Sequence, residues 1–210
     1  MSGLFVTFEG IDGCGKSTQV ALVKKKLEEY GIACAVTREP GGSPIGERIR
    51  EILLATESSA MCNACEVLLY LAARAQHVHE TIAPALARGS VVLCDRFMEA
   101  TLAYQGFGRG IALESLASIN GFATDGTMPD LTFVFDIDID TAFTRLHRSG
   151  KEPDRLESSG REFFEKVRNG YLTLAAQSPR GITVLDGTKS PDSLCTAAWE
   201  RIEKEMRAGA

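Results

Sequence analysis

Near the start of the chain, Gly10, Ile11, Asp12, Gly13, Cys14, Gly15, Lys16, Ser17 and Thr18 carry its clearest chemistry. Gly10 to Ser17 matches GxxxxGK[ST] and lies between an apolar run, Leu4–Glu9, and a segment in which Val20, Val23, Leu27 and Tyr30 recur at helical spacing. That setting of strand, loop and helix is what a phosphate-binding loop needs. Glycines let backbone N–H groups converge on phosphate oxygens at a helix N-terminus, Lys16 reaches the terminal phosphates, and the Ser17 hydroxyl can ligate Mg²⁺. The plain alternative is a glycine-rich turn, which the flanking elements argue against. A second signal is VVLCDRF, where the apolar run Val91–Cys94 ends in Asp95 and Arg96. A carboxylate at the end of a buried strand beside the loop strand can hold the Mg²⁺ or its waters, and a guanidinium next to it can clamp the phosphate of a second substrate. A third is LLYLAARAQH. Leu68, Leu71, Ala72, Ala75 and Val78 read as its apolar face, and Tyr70, Arg74 and His77 share another stripe. Tyr70 can stack on a base while Arg74 donates to its edge, but a solvent-facing or core-edge Tyr-Arg pair is the more ordinary reading of such spacing.

The elements that must position these residues alternate. Leu4–Glu9, Ala33–Thr37, Val91–Cys94, Leu131–Asp136 and Ile182–Leu185 read as strands, most of them near-continuously apolar, and helical patterns fill the intervals, with Gly31 as a stop after the first and a long stripe from about 63 to 88. Alternation of this kind predicts a parallel sheet with helices on both faces, because parallel neighbours need crossover connections. The 210 residues fit one domain over 1–210, with no repeat, low-complexity tract or linker that would divide them.

Composition narrows the classes. Hydrophobic residues make up 44% and charged residues 24%, and no apolar run approaches the ~20 residues that span a bilayer, so no membrane partner is expected. The first strand begins too early to leave room for a secretory signal, which predicts a cytoplasmic protein. A net charge of -5 argues against nucleic acid as a partner while leaving room for a local basic pocket. The six cysteines are too scattered for a disulfide framework; only Cys62 and Cys65 form a CxxC, without a second ligand pair for zinc.

With these residues in view, the chain resembles the bacterial thymidylate kinase (dTMP kinase) family. The likeness runs from FEGIDGCGKST through TREPGG (Thr37–Gly42), LLYLAAR, DRF, AYQG (Ala103–Gly106) and DRLE (Asp154–Glu157) to FFEKVRNGYLTLA (Phe163–Ala175), in the family's order and spacing. It implies a P-loop nucleoside monophosphate kinase fold with a five-stranded parallel sheet and a mobile lid, transfer of the ATP γ-phosphoryl to dTMP with Mg²⁺ on the path to dTTP, and a homodimer. The resemblance implies further that the residues from Gly10 to Thr18 bind ATP and that Ser17 and Asp95 serve the metal. Asp12 would meet the deoxyribose 3′-hydroxyl, and Arg96, with Arg38 and Glu39, would order the 5′-phosphate and the magnesium shell. Tyr70 would stack on thymine and Arg74 would contact its O4 edge. Thr101 and Gln105 would lie along the N3 and sugar side, Tyr104 would crowd the 2′ position, and Arg50 would reach towards the base or 5-methyl pocket.

The family differs in the source of its catalytic arginine, and the loop here offers no basic residue between Gly10 and Gly15. The run RLHRSGKEPDRLE, about 145–157, supplies Arg145, Arg148, Lys151 and Arg155 around Gly150 and Pro153 and reads as the lid, with Arg145, Arg148 and Arg155 joining Lys16 and Arg96 as catalytic candidates. Its plain alternative is a solvated charged loop. Asp186–Ser190 would be the loop beside the adenine. The chain departs from the family pattern in DRF for DRY or DRH, in Ala100 where serine is frequent and in Tyr70 where phenylalanine is usual. Two other functions stay open from sequence: another monophosphate kinase, and a nucleotide-binding switch with no second substrate.

Overall fold

The computed structural model describes residues 3–148, 150, 152, 154–178 and 181–208. Lys151 and Pro153 of the charged run lie outside the described residues. Strands β1 (Leu4–Glu9), β2 (Cys34–Arg38), β3 (Val91–Asp95), β4 (Leu131–Asp136) and β5 (Ile182–Asp186) form one parallel sheet in the order β2-β3-β1-β4-β5. This is the five-stranded parallel architecture that the alternation of elements predicts. The helices between them are α1 (Lys16–Glu29), α2 (Pro44–Leu54), α3 (Asn63–His77), α4 (Ala83–Ala87), α5 (Met98–Thr101), α6 (Leu113–Thr124), α7 (Ile139–Arg148) and α8 (Arg161–Gln177), and α9 (Pro191–Ala208) follows β5.

The period-two alternation of the central strands divides the core between the two faces of the sheet. Val6 and Phe8 of β1 and Val91 and Leu93 of β3 pack with Val23, Leu27, Phe133, Phe135 and Trp199 on one side. Phe5, Val92 and Cys94 face the other way, onto Val78, Ile82 and Phe97. The outer strands differ from the continuous burial expected of parallel strands, since Val36 of β2 is 47% exposed and Val184 of β5 43%. The helix that packs on β2 is α1 and the helix that packs on β5 is α8, so each edge strand is covered chiefly on one face and alternate residues meet solvent.

Two local devices set the site. β1 and β3 are paired so that Phe8 lies opposite Asp95, which brings the loop after β1 beside Asp95 and Arg96 at the carboxyl end of the sheet, where such sheets bind ligands. That loop must pass close to its neighbours: a Cβ on Gly10 would sit 2.7 Å from Phe135 O, and one on Gly13, at φ +80°, 2.7 Å from Ala142 O. At the far end of α1, Gly31 is the predicted stop; its φ is +68°, and Ile32 N–H turns back to Leu27 O at 2.9 Å.

Helix α3 corrects the sequence reading. Leu68, assigned to the apolar inward face, is 64% exposed and Ala72 is exposed with it, whereas Glu66, Arg74 and His77 are buried. Hydrophobic periodicity misassigns the face because the cleft that α3 borders is itself polar. After α5, the backbone widens into a π-helical turn over Leu102–Gly108, which buries four successive residues, Ala103 to Gly106.

Candidate active site

A cleft of about 710 Å³ opens at the carboxyl end of the sheet. Its lining includes Asp12 to Thr18 of the phosphate loop together with Arg38, Glu39, Arg50, Tyr70, Arg74, Asp95, Arg96, Thr101, Tyr104, Gln105 and Arg145. Gly10 and Ile11 stand behind the loop and take part through their carbonyls.

On the loop side, Lys16 is buried and its Nζ donates to Gly10 O at 3.1 Å and Ile11 O at 3.0 Å. Ser17 Oγ donates to Asp95 Oδ2 at 2.6 Å, which pairs the hydroxyl that starts α1 with the carboxylate that ends β3. A hydroxyl and a carboxylate are the oxygen donors a Mg²⁺ ion takes when substrate phosphates and water complete its shell, so the residues present fit that ion. Arg145 spans the cleft mouth, donating from Nη1 to Gly13 O at 3.3 Å and from Nη2 to Gly187 O at 3.1 Å. Lys189 and Gly187 of the 186–190 loop line the same end.

The other end is organised by Arg96. Its backbone is left-handed, φ 72°, an unusual state for a residue with a side chain and one that costs of order 1–2 kcal/mol. Nη1 donates to Gly10 O at 2.9 Å and Tyr171 OH at 3.1 Å, and Nη2 to Asp12 Oδ1 at 2.7 Å and Tyr104 OH at 3.0 Å. The Tyr104 hydroxyl donates to Asp12 Oδ2 at 2.9 Å, and Arg96 lies over the Tyr104 ring. Burial alone would raise the pKa of Asp12, but Arg96 and Lys16 outweigh it and hold the carboxyl far below its ordinary value. Below this layer, Glu9 accepts from Phe97 N–H at 2.6 Å and from Tyr171 OH at 2.8 Å. Burial pushes its pKa up, partly offset by Arg96.

Three comparisons bear on what such a cleft belongs to. The family model described as thymidylate kinase matches residues 8–197. The chain belongs to the thymidylate kinase family. The thymidylate kinase of Pelotomaculum thermopropionicum is 50% identical over 190 residues, covering 90% of this chain and 88% of that protein. That of Pseudomonas putida is 47% identical over 194 residues, 92% of each. A crystal structure of thymidylate kinase from Ehrlichia chaffeensis superposes with a TM-score of 0.78 at 30% identity, covering 97% of this chain and 99% of that one. The P-loop monophosphate kinase fold expected from the sequence is thereby the fold of this thymidylate kinase family member.

Within this cleft of the thymidylate kinase family member, several of the expected site residues are engaged by other groups of the protein. Arg74 is buried, and all its N–H groups are engaged: Nε and Nη2 with Glu39 Oε2 at 2.7 Å each, Nη1 with Thr101 Oγ1 at 2.9 Å and with Asn120 Oδ1, and Nη2 also with Phe97 O at 2.8 Å. A base edge can reach it only by displacing one of these. Glu39, read as part of the magnesium shell, spends both oxygens inside the protein, on Arg74 and on His77 Nδ1 at 3.0 Å. Arg38 pairs with Glu47 at 2.7 Å, and Arg50 donates to Pro40 O at 2.8 Å. Of the lid arginines, Arg148 is exposed and outside the cleft lining, and Arg155 turns away from the loop, because Glu66 Oε2 at 2.6 Å and Leu53 O at 2.8 Å capture its guanidinium.

Glu9, Glu66, Asn120 and Tyr171 stand behind the cleft and bond to residues that line it or to one another, and the motif reading gives them no role. The charge that closes the apolar run LFVTFE is a usable signal for Glu9. Tyr171 and Asn120 sit on ordinary amphipathic helices, and only the tertiary contacts single them out.

Proposed function

We propose that this protein transfers the γ-phosphoryl group of ATP to the 5′-phosphate of dTMP, giving ADP and dTDP on the path to dTTP. The observation that carries this reading is the guanidinium of Arg96, held with Asp12 and Tyr104 against the glycine-rich loop and in one cleft with Tyr70, where a second anion would take the place of some of its present partners. A nucleotide-binding switch has no use for such a site.

The chemistry follows from charge. Two polyanions must meet, and their mutual repulsion is large unless cations stand between them. Lys16, now folded onto carbonyls of its own loop, would exchange these for the β- and γ-phosphate oxygens of ATP. Ser17 and Asp95 would hold Mg²⁺, which supplies neutralisation of developing charge on the transferring group. Arg145, bridging Gly13 and Gly187, is the lid arginine best placed to serve the donor phosphates. Arg96 would receive the dTMP phosphate, Asp12 the sugar hydroxyl, and Tyr104 would stand against a 2′-hydroxyl. Tyr70 would stack on thymine, with Gln105 and Thr101 along its edge and Arg50 towards the methyl side. No covalent intermediate is needed, since dTMP brings its own nucleophilic oxygen; the work is alignment and electrostatic stabilisation.

A homodimer is supported by the exposed apolar side chains Ile45 and Ile52 of α2, Leu68 of α3 and Phe122 of α6, at 49%, 50%, 64% and 90% exposure, carried on helices of which α3 packs against both α2 and α6. Sedimentation should find a dimer that Phe122→Glu weakens. Among the described residues no helix is long and apolar enough to cross a membrane, and the cytoplasm is the proposed location.

The test is a coupled assay of ADP formation with dTMP, dUMP, dCMP, dAMP and dGMP as acceptors. dTMP should give the highest kcat/KM, and Lys16→Ala should abolish transfer while dTMP still binds. Equal turnover with and without any monophosphate would leave only a nucleotidase.

A further inference from the structure

Glu66 belongs to none of the roles above. It lies in the first turns of α3 with 1% of its side chain exposed. A buried carboxylate is costly unless fully paired, so its partners indicate what it does. Oε2 pairs with Arg155 Nη1 at 2.6 Å, and Arg109 approaches both oxygens at 3.4 Å. Oε1 accepts from the amide of Gln105, Nε2, at 2.9 Å. Burial works to raise its pKa, but the bonds from Gln105 and Arg155 and the charge of Arg109 hold it below the ordinary value. Glu66 is thus ionised and can only accept.

That last property has a consequence for Gln105, which lines the cleft. An amide side chain has one donating and one accepting end, and its orientation is set by its partners. An acceptor-only neighbour draws the NH₂ group inward. Gln105 Oε1 then remains as the free polar end; it has no partner among the described residues and is absent from the polar atoms sealed away from solvent. A fixed carbonyl oxygen suits a base carrying N–H on the facing edge, as thymine and uracil do at N3, and it repels cytosine, whose N3 is itself an acceptor.

We infer that Glu66 is a positioning residue for base selectivity: it locks Gln105 with its carbonyl towards the acceptor base, so that a pyrimidine is chosen by its N3–H. Arg155 and Arg109 keep Glu66 charged and hence unable to donate. The inference rests on the reading of this cleft as the dTMP site.

The experiment measures kcat/KM for dTMP and dCMP on the wild type and on Glu66→Gln and Glu66→Asp. Glu66→Gln keeps length but can donate as well as accept, which frees Gln105 to turn over. Its dTMP:dCMP ratio should fall by roughly ten- to hundredfold, the range of a misplaced buried hydrogen bond. Glu66→Asp stays acceptor-only and should keep the ranking, even at lower overall efficiency. Should Glu66→Gln fold poorly, Glu66→Gln/Arg155→Gln removes the unpaired cation and should show the same loss of ratio. A wild-type ratio in the folded Gln variants, or an equal fall in Gln and Asp variants, overturns the inference while leaving the kinase assignment standing. A wild type that does not prefer dTMP overturns both.

Discussion

Asp12 Oδ1 and Arg96 Nη2 lie 2.7 Å apart, although 84 positions separate them, and this pair ties the phosphate loop to the turn that follows β3. The turn is held in a left-handed conformation at Arg96, φ 72°, by Arg96 N–H donating to Phe8 O at 3.0 Å and by the guanidinium contacts. Arg96→Ala and Arg96→Gly should therefore lose phosphoryl transfer alike yet differ in stability. The glycine variant should be more stable than the alanine one by about 1 kcal/mol, since glycine adopts this conformation without the Cβ penalty. Chemical denaturation of the two variants checks this, and equal midpoints would refute it.

Arg145 and Arg155 should separate cleanly. Arg145 bridges Gly13 O and Gly187 O, so on the proposed function Arg145→Ala should lower kcat by about 10³-fold, as for an arginine acting on the transferring phosphoryl. Arg155→Ala should act chiefly on the KM for dTMP, because its guanidinium holds Glu66 and the end of α2. Steady-state kinetics with each substrate varied in turn would expose the opposite pattern if the placement fails.

Arg74 and Glu39 form an ion pair with side chains 1% and 4% exposed. Removing one partner leaves a buried charge uncompensated, so Arg74→Met should destabilise the fold by about 3–5 kcal/mol. Arg74→Met/Glu39→Gln should recover part of that loss. A double variant no more stable than the single one would assign the cost to packing rather than charge.

Glu99 supplies a pH signature. Burial, with Glu9 adding to it, pushes its pKa from 4.5 to about 7, against Arg74, and its Oε2 is buried without a partner among the described residues. The folded chain therefore holds a proton that the unfolded chain releases. The resulting stability is complete below the unfolded value of 4.5 and is lost as pH rises towards 7. Glu99→Gln should be more stable than wild type at pH 8 and should lose that part of the decline in Tm between pH 4.5 and 7. A variant whose Tm runs parallel to wild type across this window would contradict it.

Local chemistry was legible in the sequence wherever neighbours in the chain are neighbours in space. Gly10 to Ser17 must turn tightly between a strand and a helix, Gly31 must end α1, and the five apolar runs must pair in parallel through crossovers. These are properties of backbone geometry over a few residues, and the family motifs added the acceptor to them. Which stripe of α3 points inwards was not legible, because a period of 3.6 marks faces without saying what each face meets. Exposed Leu68 and buried Arg74 are the outcome of a polar cleft lying where a core would be assumed. The bond from Tyr171 OH to Glu9 Oε2, at 2.8 Å across 162 positions, and the capture of Arg155 by Glu66 were likewise decided only by the tertiary structure. A buried charge goes to the partner that best offsets its lost hydration, and folding alone determines which partner lies within reach.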